Sequence, residues 1–73
     1  MGIVEDLADA LAVDALKAER ETGDDKIVDR VAEILGADSI TTQEAFMTAV
    51  RVRKADRRAR AYLSKLNKTT SNE

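Results

Sequence analysis

The sequence predicts an all-α fold: a small three-helix module in which an acidic helical hairpin precedes one long basic amphipathic helix. Three observations predict it. The chain has no proline and only three glycines, and Gly23 and Gly36 fall between runs of apolar residues spaced three and four apart, the period of a helix face. Ala, Asp, Arg, Leu, Val, Lys and Glu make up more than half of it and are mostly good helix formers. Charge is also split along the chain, with twelve acids and four bases in residues 1–44 against eight bases and two acids in residues 45–73.

The first helix is expected from Ile3 to about Thr22. Val4, Leu7, Leu11, Ala15 and Ala18 form its apolar stripe, and Glu5, Asp6 and Asp9 lie where the helix dipole favours acids. Gly23 stops it, and Asp24 or Asp25 is expected to cap the next helix. That second helix, Lys26 to Leu35, carries Ile27, Val28, Val31, Ile34 and Leu35, with Gly36 expected at a left-handed C′ position. The third is expected to begin at a capping box formed by Thr41 and Glu44 and to run unbroken to about Leu66. Residues 1–66 thus read as one domain and residues 67–73 as a disordered polar tail.

Several function classes are excluded by composition. With no cysteine and no histidine, the chain offers no disulfide, no thiolate or imidazole zinc site and no Cys/His or Ser/His catalysis. Glycine-rich phosphate loops are absent, and the segment from Asp38 to Ala49 lacks the central glycine and terminal glutamate of a calcium-binding loop. The chain reads as non-catalytic, with no cofactor and no metal site. Lack of cysteine and of a membrane-length apolar run predicts a cytoplasmic protein that does not enter a membrane. A core this small also leans on self-association or close helix packing for stability.

Function is expected in the charged surface. Arg51, Arg53, Lys54, Arg57, Arg58 and Arg60 crowd one stretch of the third helix, and arginine's planar fork suits carboxylate partners. They are the predicted partner-binding residues, and a protein is the first expectation. The opposite side of that helix holds Ala45, Ala49, Val52, Ala59, Leu63 and Leu66, interrupted by Asp56, a spacing like a short coiled-coil seam. The sequence assigns this seam to packing against the first two helices. Phe46 and Val50 lie off it, as Val13 and Leu16 lie off the first helix's stripe, and these four are the candidates for contact with a second copy in a homo-oligomer.

Two alternatives stand beside this reading. The run from Val31 to Phe46, with Ala32 four residues before Gly36, a cap-capable Asp38 and Ala45 nine after the glycine, resembles a bacterial helix-turn-helix. That resemblance implies a DNA-binding regulator with Thr42, Gln43 and Met47 near the bases and the arginines on the backbone. Alternatively, Glu5, Asp6, Asp9, Asp14, Glu19 and Glu21 form an acidic surface suited to mimic nucleic acid or dock on a basic enzyme.

Overall fold

A computed structural model describes the backbone of residues 2–71 and the side chains of residues 2–67. Three helices account for nearly all of it: α1 (Ile3–Thr22), α2 (Ile27–Asp38) and α3 (Ile40–Ser71). The chain is all-α, and among the described residues no helix is long and apolar enough to cross a membrane.

Each turn is held by specific hydrogen bonds. Gly2 N–H donates to Glu5 Oε1 at the start of α1, at 3.1 Å. At its end Gly23 adopts the left-handed conformation, φ 76°, and its N–H donates to Glu19 O. Only glycine enters that region without a Cβ clash, so the first hairpin is fixed here. The expected Asp cap on α2 takes another form. Asp24 Oδ1 accepts from Lys26 N–H at 2.9 Å, while Glu19, reaching across from α1, accepts from Val28 N–H at 3.0 Å.

The second turn departs further from expectation. Gly36 is not a C′ residue; α2 continues through it to Asp38, and Gly23 is the one positive-φ glycine among the described residues. Gly36 instead lets two helices close up, because a Cβ there would lie 2.4 Å from Gln43 Nε2. That amide donates to Ala32 O at 2.9 Å, tying the first turn of α3 onto α2. A single extended residue, Ser39, separates the two helices, and Ser39 Oγ accepts from Thr42 N–H at 3.1 Å. Ser39, and not Thr41, therefore caps α3. The helix also outlasts Leu66 and continues to Ser71. Of the expected polar tail, the side chains of residues 68–73 lie outside the described residues.

The core is small and alanine-rich: Ala8, Ala12, Ala15 and Leu16 of α1, Val28 and Ala32 of α2, and Phe46 and Val50 of α3. Among the described residues Phe46 is the one large side chain fully enclosed. Three expected assignments are corrected by this arrangement. The buried face of α1 is the alanine row, which leaves Leu7 exposed, and in α2 Ala32 takes the inner position while Ile34 faces solvent. Leu16, Phe46 and Val50, expected to meet a second copy, are buried inside this chain; of that set only Val13 is exposed. The reason is fit, since one aromatic ring fills the shallow trough that small alanines leave.

Below Val50 the helix leaves the core. Every residue from Arg51 to Asn67 is exposed. With 32 residues α3 is about 48 Å long, close to the longest dimension of the molecule, 54 Å. The radius of gyration is 15.3 Å, against about 11 Å for a compact chain of this length. Roughly half of α3 is thus displayed and not enclosed.

Candidate functional site: the exposed half of α3

A helix with no packing along so much of its length needs a local reason to persist. Propagation from the packed first turns avoids the nucleation cost that isolated helices bear. The residues are strong helix formers, and Asp56 pairs with Arg60 one turn on, with Oδ2 3.0 Å from Nε. Cations in the second half also suit the negative end of the helix dipole.

One cross-helix clamp anchors this half to the body. Arg53 Nε and Nη2 donate to Asp9 Oδ1 and Oδ2 at 2.6 and 2.7 Å, a bidentate pair linking residues 44 apart in sequence. Its hydrogen bonds hold the Asp9 carboxyl below its ordinary range and raise Arg53 further. Beyond the clamp, Val13, Leu16 and Arg20 of α1 line an open hollow with Arg53, Asp56, Arg57 and Arg60 of α3. Because positions advance together on both helices, α1 and α3 run in the same direction.

The six predicted contact residues therefore divide. Arg53 and Arg60 are held by carboxylates of their own chain. Among the described residues, no ion pair engages Arg51, Lys54, Arg57 or Arg58. Those four carry the uncommitted positive charge.

Position around the helix divides them again. At about 100° per residue, Lys54 and Arg57 continue the side of α3 on which Phe46 and Val50 face the core, whereas Arg51 and Arg58 lie towards the far side. On that far side run Val52, Ala55, Ala59, Tyr62, Leu63 and Leu66, all exposed. Val52 is 61% exposed, Tyr62 62% and Leu63 55%. The seam was expected to pack on the first two helices; its C-terminal half instead faces away from them. Sequence reasoning passed over Ala55 and Tyr62, although both continue the same helical period.

The DNA-reading set sits at the α2–α3 corner. Gln43 is occupied by its bond to Ala32 O, the Thr42 hydroxyl is within 2.9 Å of Ser39 Oγ, and Met47 packs against the core. Gln43 and Met47 also line a hollow with Glu44, whose carboxylate repels phosphate. The acidic surface is partly spent too: Glu5 and Glu19 serve as caps and Asp9 holds Arg53. No protein-family model, curated protein or solved structure matches this chain.

Proposed function

We propose that this chain is a small non-catalytic regulatory or adaptor module that works by protein–protein contact through the exposed basic half of α3. The observation that carries the reading is the display of Arg51, Lys54, Arg57 and Arg58 on an ordered helix with no carboxylate of the described chain engaging them. Folding does not require their charge, so its density there is explained by what approaches from outside. The hollow beside α1 supports the same reading, since Arg20 and Arg57 line it together with Val13 and Leu16. Such a combination suits an acidic protein surface, where arginine pairs with carboxylates and apolar area is covered.

Absence of histidine and cysteine supports a non-catalytic role, and absence of cysteine fits the cytoplasm. Self-association through Val13, Leu16, Phe46 and Val50 is not carried forward, because three of the four form this chain's own core.

The test is affinity capture from the source lysate with the full chain and with an Arg51→Glu/Arg58→Glu double variant, both checked for unchanged helicity. The expected result is a specific protein that resists nuclease treatment, weakens as salt rises and is lost with the double variant. Capture abolished by nuclease, or indifferent to the charge reversal, overturns the reading.

A further inference from the structure

We propose that the outward stripe of α3 docks one amphipathic helix of a partner protein, a helix whose apolar ridge is bordered by carboxylates. This rests on the reading above and names the partner's chemistry.

The first two helices do not cover the stripe. Ala59 lies nine residues from the buried Val50, about two and a half turns and so half-way round the helix. α1 and α2 both pack on the opposite side, around Phe46 and Val50. None of the residues packed in the core reaches this face.

Its spacing specifies a helix as the visitor. Val52, Ala59 and Leu66 recur every seven residues, as do Ala55 and Tyr62, and together they form a seam with the 3.5-residue period that a supercoiled partner follows. Ala55 and Ala59 permit close backbone approach, while Tyr62, Leu63 and Leu66 supply bulk farther along.

The borders specify the partner's charge. Arg51, Arg58 and Lys65 repeat every seven residues along one edge, and Asp56 and Leu63 occupy the other. In a parallel pair of identical chains, Arg51 would face Asp56 but Arg58 would face Leu63; an antiparallel pair would set the two basic edges together. Residues 51–67 also carry seven bases against one acid, so two copies carry a net repulsion. A helix with glutamate or aspartate opposite the basic edge removes both defects.

A bilayer surface and a nucleic-acid duplex fit less well. Membrane-lying helices present bulky apolar residues along the whole buried face, whereas the middle of this one is Ala55 and Ala59 and Asp56 borders it. A duplex backbone uses cations but covers no apolar ridge.

The experiment titrates the full chain into a fluorescent helical peptide of about three heptads with a leucine and isoleucine seam bordered by glutamate. A lysine-bordered peptide of the same seam is the control. Anisotropy gives affinity, and amide chemical shifts locate the contact. The glutamate peptide is expected to bind and the lysine peptide not, with shifts confined to residues 51–66. Leu63→Glu and Ala59→Glu are each expected to weaken binding at least about tenfold, with unchanged far-UV circular dichroism because both sites lie outside the core. Failure of the glutamate peptide to bind overturns the proposal. So does a concentration-dependent dimer that Leu63→Glu dissolves, which would make the occupant a second copy, and so does Leu63-dependent binding to phosphatidylglycerol vesicles. The parent reading is distinguished by the lysate capture: a captured protein lost with Arg51→Glu/Arg58→Glu but retained by Leu63→Glu leaves that reading standing and removes this one.

Discussion

Replacing Phe46 by alanine tests how α3 divides between core and display. Phe46 is 0% exposed and is the only large side chain wholly inside the described structure. Its neighbours in the cluster include Ala8, Ala12, Ala15 and Ala32, whose short side chains cannot move in to fill the vacancy. Truncation of a buried phenylalanine costs about 3–5 kcal/mol when the site does not collapse. A domain of this size has only about 3–5 kcal/mol from its core. Phe46→Ala is therefore expected to leave no folded baseline in a urea titration followed by far-UV circular dichroism at room temperature. Phe46→Leu keeps most of the volume and should give a measurable, lowered midpoint. On the same helix Leu63→Ala should shift stability by no more than about 0.5 kcal/mol, because its side chain is already largely solvated. Two results would refute the reasoning: Phe46→Ala altering only the sedimentation coefficient with helicity intact, or Leu63→Ala proving the more damaging change.

Four further outcomes follow from the turns and the clamp. Gly23→Ala forces a Cβ into the left-handed region and should cost about 1–2 kcal/mol. In contrast, Gly36→Ala should be within about 0.5 kcal/mol of neutral in the same denaturation assay: displacing the Gln43 amide loses a hydrogen bond of about 1 kcal/mol, and alanine regains about as much in helix propensity. Glu19→Ala removes the acceptor for Val28 N–H and should cost about 0.5–2 kcal/mol, as other lost N-terminal acceptors do, with Glu19→Gln, which keeps a carbonyl oxygen, milder by thermal melting. Asp9→Asn should flatten the acid limb of a stability–pH curve. The folded Asp9 pKa is depressed by Arg53, so its contribution is complete above its ordinary value of 3.8 and drains away as pH falls below it. A variant curve parallel to wild type between about pH 5 and 2 would show that the clamp does not form in solution.

Most of the architecture was legible because it rests on local rules. The three helices, the start of α1 and the Gly23 stop follow from period, propensity and the glycine conformation. The second turn was misread because Gly36 satisfies two different rules, a left-handed cap and a close approach, and only the position of Gln43 decides between them. Glu19 as the cap of α2 was beyond sequence reasoning for a related reason: the acceptor arrives from nine residues away, through the hairpin, and leaves no short-range motif. The charge split was plain in the chain, but the pairing of Asp9 with Arg53 required knowing that α1 and α3 run side by side in one direction.

The deepest misassignment concerned which side of α3 is inside, and its cause bears on function. The helix carries two apolar stripes about half a turn apart, one with Phe46 and Val50 and one with Val52, Ala59, Leu63 and Leu66. Length and regularity favoured the second as the core face. Complementarity of size favours the first, since a row of alanines on α1 accepts an aromatic ring without a void. Ala8, Ala12 and Ala15 were readable signals of a trough awaiting a large side chain. Once Phe46 fills it, helical geometry carries the longer stripe outward, together with Arg51 and Arg58 on its border. The feature that makes this small core close on itself is therefore the same one that presents α3 to a partner.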